Sequence, residues 1–124
     1  MTLKVLAVDD SLTIRELLRS CLVNAGFDVD VAVDGVDGLE KLPAACPDVV
    51  ITDINMPRMN GFEFIDALRG GENPTSVPIL VLTTESAAEL KQKARDAGAT
   101  GWIVKPFDET KLVSAIRRVA NYAA

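Results

Sequence analysis

The sequence predicts an α/β protein in which helices cover both faces of a parallel sheet. Five short apolar runs alternate with longer segments of helical periodicity along the 124 residues. Three of the runs are nearly continuous in Val, Ile and Leu, which is typical of strands buried on both faces. Strict alternation of strands and helices favours parallel pairing through helical crossovers. The length is sufficient for one hydrophobic core, so we expect a single domain spanning residues 1–124.

The five apolar runs give the strand candidates in chain order. The first, third and fourth runs are nearly continuous in branched aliphatic residues, whereas the second and fifth are more mixed. Their lengths are those of ordinary strands in globular proteins. The candidates are Leu3–Val8, Val29–Val33, Val49–Thr52, Ile79–Thr83 and Thr100–Val104.

Two helices are predicted before the third strand. The first has apolar residues at the i, i+3, i+4, i+7 and i+8 spacing of an amphipathic helix. These residues are Ile14, Leu17, Leu18, Cys21 and Leu22. Ala25 and Gly26 then fit a glycine C-cap. The second helix is predicted over residues 34–42, and Pro43 is expected to end it because proline has no backbone N–H to donate.

Three more helices are predicted after the third strand. One spans residues 61–69 and is followed by the loop "GGENPTSVP". The next spans residues 86–97, where Ser86 and Glu89 match the capping box S-x-x-E. The last begins after Asp108, a favourable N-cap residue. Its inner face is expected to consist of Leu112, Val113, Ile116, Val119 and Ala120.

Composition excludes several classes of function. The net charge of −5 argues against nucleic acid as a direct partner. The chain contains no histidine, which excludes histidine-based catalytic triads and metal sites. Cys21 and Cys46 are isolated, as expected for reduced thiols in a cytoplasmic protein. No apolar run is long enough to span a membrane, and acidic residues interrupt the N-terminal run before it could form a signal peptide.

Chemically active side chains follow four of the predicted strands. Ligand sites of open α/β sheets lie at the carboxyl ends of the strands. The residues found there are Asp9 and Asp10 after strand 1, Asp53 after strand 3, Thr83 with Thr84 and Glu85 at strand 4, and Lys105 after strand 5.

The paired acids Asp9 and Asp10 require a compensating positive charge. Two neighbouring carboxylates raise each other's pKa unless a cation lies between them. Oxygen ligands suit Mg²⁺, whereas a soft metal would require Cys or His ligands. A second interpretation of the pair alone is that the two acids interact with a helix N-terminus, where the helix dipole favours negative charge.

Four motifs at these strand ends resemble the receiver-domain signature of bacterial response regulators. They are "VDDS", "ITDINMPRMNG", "LVLTT" and "VKPF", and the resemblance covers essentially the whole chain. The segment "RGGENPTSVPILVLTTE" makes the chain most similar to single-domain chemotaxis regulators of the CheY type. The resemblance implies a flavodoxin-like sheet with strand order 2-1-3-4-5. It also implies a protein that catalyses only its own phosphorylation and dephosphorylation.

The resemblance assigns a role to each residue of the motifs. Asp53 corresponds to the phosphoacceptor of the family. Mg²⁺ would be bound by Asp10, by Asp53 and by the backbone carbonyl of Asn55, with Asp9 acting largely through water.

Two further residues would act on the phosphoryl group itself. Lys105 corresponds to the lysine that pairs with a phosphoryl oxygen, and Thr83 to the hydroxyl that donates to the attached group. The family also has a cis peptide bond after this lysine, which we expect between Lys105 and Pro106. Without the resemblance, Thr83 would be an ordinary strand-end residue.

Three residues are expected to tune the switch. Relatives carry Tyr or Phe three residues before the lysine, and this side chain moves inward on phosphorylation. This chain has Trp102 there, whose indole is larger and carries only an N–H donor. An alternative is that Trp102 is simply a partly buried aromatic. Asn55 and Glu85 correspond to the positions that influence the attacking water, and this pair predicts rapid autodephosphorylation.

The expected output surface is formed by helix 4, strand 5 and helix 5. Its residues are Lys91, Lys93, Arg95, Trp102 and Lys111. A basic surface suits an acidic partner segment, although solvated lysines on exposed helices are an equally simple interpretation. The resemblance implies a monomer that receives phosphate from a CheA-like histidine kinase and binds a flagellar motor-switch protein. No membrane partner is expected.

Other functions on this fold have specific sequence requirements. A regulator that only drains phosphate from a shared kinase would have the same residues as a motor effector. A haloacid-dehalogenase-type phosphatase needs a DxD nucleophile after strand 1, where this chain has "DD". A flavodoxin-like cofactor binder needs a phosphate loop rich in Ser, Thr and Gly in place of "DDSLT". A degenerate receiver used only for interaction would not require the full set of site residues.

Overall fold

Five parallel strands form one sheet in the computed structural model, which describes residues 2–123. Their order is β2-β1-β3-β4-β5, as the resemblance to receiver domains implies. Each strand lies within one residue of its predicted position at both ends. The strands are β1 Lys4–Val8, β2 Asp28–Ala32, β3 Val49–Thr52, β4 Ile79–Thr83 and β5 Gly101–Val104.

Helices follow each strand, so the chain alternates strand and helix throughout. They are α1 Leu12–Asn24, α2 Gly35–Ala45, α3 Gly61–Gly70, α4 Ala88–Ala97 and α5 Glu109–Ala123. Within residues 2–123, no helix combines the length and the apolar character needed to cross a membrane. The predicted caps of α1 and α5 are confirmed: Gly26 has a φ of 94°, and Asp108 accepts a hydrogen bond from the Lys111 N–H at 3.0 Å.

The core consists of two apolar layers on opposite faces of the sheet. Alternate residues of β1 point to opposite faces, as expected for a strand. Val5 and Ala7 belong to the layer that also contains buried residues of α1 and α5. Leu6 and Val8 belong to the layer formed with α3 and α4. The central strands are therefore buried on both sides, which explains their continuous aliphatic sequences.

The predicted end of the second helix at Pro43 is wrong. Pro43 lies inside α2, which continues to Ala45 and ends with Cys46 in the left-handed conformation at a φ of 44°. A proline in the last helical turn removes only one backbone hydrogen bond. Continuing the helix buries Ala45 in the core and allows the Cys46 N–H to donate to the Leu42 carbonyl.

The predicted capping box of the fourth helix is also wrong. α4 begins at Ala88, and Ala87 occupies the N-cap without a side-chain hydrogen bond. The carbonyl of Glu85 accepts a hydrogen bond from the Trp102 indole at 3.0 Å, which keeps the preceding segment attached to β5. The Ala87 carbonyl is then the acceptor for the first helical N–H groups.

One residue of the predicted α1 stripe is exposed. The side of α1 that contains Leu18, Cys21 and Leu22 is buried, whereas Leu17 is 50% exposed. Leu17 lies about 100° around the helix from Leu18. The buried stripe of α1 is therefore narrower than the sequence pattern suggests.

The strand register brings the site residues to one edge of the sheet. Val8 is the partner of Thr52 in the β1–β3 pair, so Asp9 and Asp53 follow at the same level. The Asp53 N–H continues this ladder by donating to the Val8 carbonyl at 3.0 Å. The Lys105 N–H likewise continues the β4–β5 ladder by donating to the Thr83 carbonyl at 2.8 Å.

Candidate functional site

Three carboxylates converge at the carboxyl ends of β1 and β3. One oxygen from each of Asp9, Asp10 and Asp53 lies within 4.8 Å of the other two. Asp9 and Asp53 are buried, whereas Asp10 is exposed. A set of closely spaced carboxylate oxygens that includes a solvent-facing member fits a hard cation such as Mg²⁺, which retains several waters when bound.

Lys105 bridges the two buried carboxylates. Its Nζ donates to Asp9 Oδ2 at 2.7 Å and to Asp53 Oδ2 at 2.9 Å. The peptide bond between Lys105 and Pro106 is cis, as the resemblance implied. Lys105, at the end of a strand distant in sequence, therefore supplies part of the positive charge that Asp9 and Asp10 require.

Burial and ion pairing shift the pKa values of Asp9 and Lys105 in opposite directions. Burial raises the pKa of the Asp9 carboxyl, although hydrogen bonds from Lys105 and from the Ser11 N–H oppose the shift. Burial also works against the Lys105 ammonium, but its hydrogen bonds to Asp9 and Asp53 outweigh this effect and raise its pKa. Lys105 therefore stays protonated at neutral pH and keeps a positive charge beside Asp53.

The orientation of the Asp53 carboxylate is fixed by two donors. Oδ2 accepts from Lys105, and Oδ1 accepts from the Ile54 N–H at 2.7 Å. The loop after Asp53 folds back closely, since the Gly61 N–H donates to the Ile54 carbonyl at 2.8 Å. A Cβ at Gly61 would lie 2.2 Å from the Asp53 carbonyl oxygen. Only glycine is compatible with this close approach of the two backbone segments.

Glu85 connects the other predicted site residues to one another. Its N–H donates to Thr83 Oγ1 at 3.3 Å, and its carbonyl accepts from the Trp102 indole N–H at 3.0 Å. Its side-chain Oε1 accepts from Asn55 Nδ2 at 3.0 Å. The hydroxyl, the indole and the amide of the predicted switch and tuning residues are thus all bound to the same residue.

The predicted basic surface is divided in the structure. Lys91, Arg95 and Trp102 line one groove between α4 and β5. Lys93 lies instead over the ring of Phe62 on α3, with Nζ 4.2 Å from the ring centroid, which is a cation–π geometry. Lys111 is exposed in α5 and is not among the residues that line the groove.

Three residues near the site were not singled out from the sequence. Arg58 forms two hydrogen bonds with the buried carboxylate of Asp34. These bonds are the main cause of the lowered pKa of Asp34. Arg15 Nη1 donates to the Asp9 carbonyl at 2.8 Å. The position of Asp34 before a helix indicates an N-cap residue. No sequence pattern, however, pairs it with an arginine 24 residues away.

This chain is similar to known proteins over most of its length. Residues 5–117 match the family described as the response regulator receiver domain. Protein PilG of Pseudomonas aeruginosa is 34% identical over 115 residues, which cover 93% of this chain and 85% of PilG. Response regulator MprA of Mycobacterium tuberculosis is 37% identical over 117 residues, which cover 94% of this chain and 50% of MprA.

A solved structure supports the same assignment. The chemotaxis protein CheY4 of Vibrio cholerae is 47% identical and has a TM-score of 0.90, covering 96% of this chain and 99% of CheY4. The family match includes the carboxyl ends of all five strands, and it confirms the resemblance drawn from the four sequence motifs. This chain therefore belongs to the response regulator receiver domain family.

Proposed function

We propose that Asp53 accepts a phosphoryl group from the phosphohistidine of a CheA-like histidine kinase. The observation that carries this proposal is the ion pair of the buried Asp53 carboxylate with Lys105, next to two further carboxylates. One Asp53 oxygen attacks phosphorus and forms a P–O bond. The P–N bond of the phosphohistidine breaks, and the imidazole nitrogen leaves with its electron pair.

Mg²⁺ is the cofactor in this proposal. Asp10, Asp53 and the Asn55 carbonyl would hold it, and Asp9 would contribute through water. When bound, the ion neutralises charge that develops on the transferring phosphoryl oxygens. Lys105 supplies a second positive charge at the same oxygens, and the Thr83 hydroxyl donates to one of them once the group is attached.

The bonds of Glu85 supply the route from the site to the surface. To donate to a phosphoryl oxygen, the Thr83 side chain must move toward Asp53. This movement weakens the hydrogen bond from the Glu85 N–H to Thr83 Oγ1. Since the Glu85 carbonyl holds the Trp102 indole, a shift of Glu85 changes the groove lined by Lys91, Arg95 and Trp102.

The biological setting proposed is chemotaxis. Residues 1–124 act as a single cytoplasmic receiver domain, a monomer without activity on other substrates. The basic groove binds an acidic segment of a flagellar motor-switch protein in a phosphorylation-dependent manner. The 47% identity to the chemotaxis protein CheY4 supports this setting, as does the presence of Lys91 and Arg95 in the groove. Asn55 and Glu85 make the phosphorylated state short-lived.

The phosphoacceptor is tested by intact mass spectrometry after incubation with Mg²⁺ and a phosphorylated histidine kinase. The wild type should gain the mass of one phosphoryl group. Asp53→Asn should gain none, because the amide has nearly the same shape but is not a nucleophile. A phosphoryl group on the Asp53→Asn variant would refute the assignment.

The partner is tested by capture on an immobilised motor-switch peptide, with and without beryllofluoride and Mg²⁺ as a phosphoryl mimic. Binding that depends on the mimic supports a motor effector. No binding under either condition would instead favour a regulator that drains phosphate from a kinase.

A further inference from the structure

The loop between β3 and α3 is attached to α2 by an ion pair that the proposed chemistry does not use. Arg58 Nε donates to Asp34 Oδ2 at 2.6 Å, and Arg58 Nη2 donates to Asp34 Oδ1 at 3.0 Å. Asp34 is 2% exposed, so this is a bidentate pair to a buried carboxylate. Such pairs fix geometry as well as charge, because both oxygens and two guanidinium nitrogens are held at once.

Arg58 combines this pair with an unusual backbone conformation. Arg58 has a φ of 63°, in the left-handed region that disfavours residues with a Cβ and favours glycine. Arginine has no intrinsic preference for this conformation. The surrounding contacts must therefore maintain it, and the pair with Asp34 is the strongest contact of the Arg58 side chain.

Asp34 links the loop to the start of α2. Its Oδ1 also accepts from the Asp37 N–H at 2.9 Å, which caps the helix. Next to it, the Gly35 N–H donates to the Met59 carbonyl at 3.3 Å. A Cβ at Gly35 would lie 2.7 Å from Met59 Cγ, so the loop lies directly against the first turn of α2. The loop and the N-terminus of α2 form one connected unit.

The same loop contains one of the residues proposed to bind the metal ion. It begins directly after Asp53 and includes Asn55, whose side chain is bound to Glu85 on the opposite side. The loop is thus held by Asn55 and Glu85 on one side and by Arg58 and Asp34 on the other.

We propose that Arg58 and Asp34 are a positioning pair for the metal-binding loop. They hold the backbone of residues 55–60 in the conformation that binds Mg²⁺, although neither residue is a ligand. This inference rests on the proposed function, in which Asn55 contributes a ligand. Loss of the pair is expected to weaken Mg²⁺ binding by about tenfold, the lower end of the effects seen for residues that orient metal ligands.

The test measures Mg²⁺ affinity by isothermal titration calorimetry for wild type, Asp34→Asn, Arg58→Ala and the double variant. Asparagine retains a side-chain oxygen that can cap α2, so Asp34→Asn removes mainly the ion pair. Both single variants should bind about tenfold more weakly. The double variant should bind no more weakly than the singles, because one shared interaction is lost in all three.

Two further variants separate positioning from general stability. Arg58→Gly removes the pair and relieves the unfavourable φ, so its free energy of unfolding without metal should stay close to that of wild type. Its Mg²⁺ affinity should nevertheless fall, because glycine permits this φ without fixing it and the loop loses its attachment to α2. Lys41→Ala is the matched control, because Lys41 pairs with Asp37 on the exposed side of the same helix. It should leave the Mg²⁺ affinity unchanged.

The outcomes distinguish this inference from the function on which it rests. Unchanged Mg²⁺ affinity in Arg58→Gly and Asp34→Asn, with normal binding by wild type, would overturn the positioning role and leave the proposed function intact. Failure of the wild type itself to bind Mg²⁺ would overturn both.

Discussion

Asp9 and Asp10 are neighbours in sequence but have different environments. The Asp9 carboxylate is 1% exposed, accepts from Lys105 at one oxygen and accepts from the Ser11 N–H at the other. Asp10 faces solvent. A buried carboxylate that already has two donors has less capacity to bind a cation directly. We therefore propose that the two acids differ in function, with Asp9 organising the site and Asp10 binding the metal.

This difference predicts unequal effects of removing each acid. Asp10→Ala should reduce Mg²⁺ affinity more than Asp9→Ala, because the first removes a direct ligand and the second removes a partner of Lys105. Calorimetric titration of both variants with Mg²⁺ measures the two losses. Equal losses would contradict the assignment of separate roles.

The residues at the mouth of the site should control the lifetime of the phosphoryl group. Asn55 Nδ2 is bound to Glu85 Oε1, so the two side chains lie side by side near Asp53. Replacing them together by Asn55→Lys and Glu85→Arg introduces bulk and positive charge where water must approach. We expect phosphoryl loss to slow several-fold, as measured by the decay of radiolabelled protein. Decay at the wild-type rate would show that these positions do not control access.

The Asp34–Arg58 pair predicts a specific pH dependence of stability. Hydrogen bonds from Arg58 hold the pKa of the Asp34 carboxyl below its ordinary value. A lowered folded-state pKa stabilises the protein above the unfolded-state pKa of about 3.9, and this stabilisation is lost as the pH falls through the folded-state value.

Urea unfolding of wild type and Asp34→Asn at about pH 6 and about pH 3 measures this contribution. The wild type should lose more free energy of unfolding between the two conditions than the variant, which has no carboxyl to titrate at this position. The same loss in both proteins would exclude the pair as a source of acid sensitivity.

Among the elements, α4 is attached very differently at its two ends. Gly98, the C-cap residue that follows α4, accepts two hydrogen bonds from Arg69 through its carbonyl, at 3.1 and 2.8 Å. The N-terminus of α4 has no side-chain cap, and Ala94 is the buried residue of this helix. Few buried apolar contacts and an uncapped end are features of segments with low local stability. The end of α4 nearest Glu85 is therefore the end that moves most easily.

A new cap should stabilise α4. Ala87 has the extended conformation of an N-cap residue, so the hydroxyl of Ala87→Ser can accept from the first turn of the helix. We expect a gain of about 0.5–1 kcal/mol in the free energy of unfolding, measured with urea. Ala88→Ser, inside the helix, is the matched control and should give no gain in the free energy of unfolding. A gain at both positions, or at neither, would contradict the N-cap assignment.

The elements also indicate how far sequence can predict this structure. The strands were predicted to within one residue, because buried parallel strands have aliphatic runs that depend little on distant contacts. The ends of α2 and α4 were mispredicted because they depend on tertiary contacts, such as the burial of Ala45 and the bond from Trp102 to Glu85.

In the candidate site, too, the features set by tertiary contacts could not be predicted from the sequence. Asp53 and Lys105 could be proposed because each ends a strand and the topology brings strand ends together. The pairing of Arg58 with Asp34 could not, because it depends on a left-handed residue in a loop. The bonds of Glu85 to Asn55 and Trp102 likewise depend on the relative positions of β3, β4 and β5, which no local pattern specifies.

At the scale of the whole molecule, the site and the proposed output surface belong to one connected structure. Lys105 and Asp9 are 96 residues apart in sequence, so the site exists only when the complete sheet has formed. Asp53 accepts from Lys105 Nζ, and the Lys105 N–H donates to the Thr83 carbonyl. From Thr83 the contacts continue through Glu85 to Trp102, which lines the groove beside α4. We therefore propose that phosphorylation at Asp53 is transmitted to the groove through these residues.

The most direct measurement of this claim is the fluorescence of Trp102, the one tryptophan in the chain. Mg²⁺ and beryllofluoride, added together, should change its emission in the wild type, because the bond between the indole and Glu85 is disturbed. Asp53→Asn should respond to neither reagent in this way. Emission unchanged in the wild type, with the mimic shown by calorimetry to be bound, would contradict the coupling between the site and the groove.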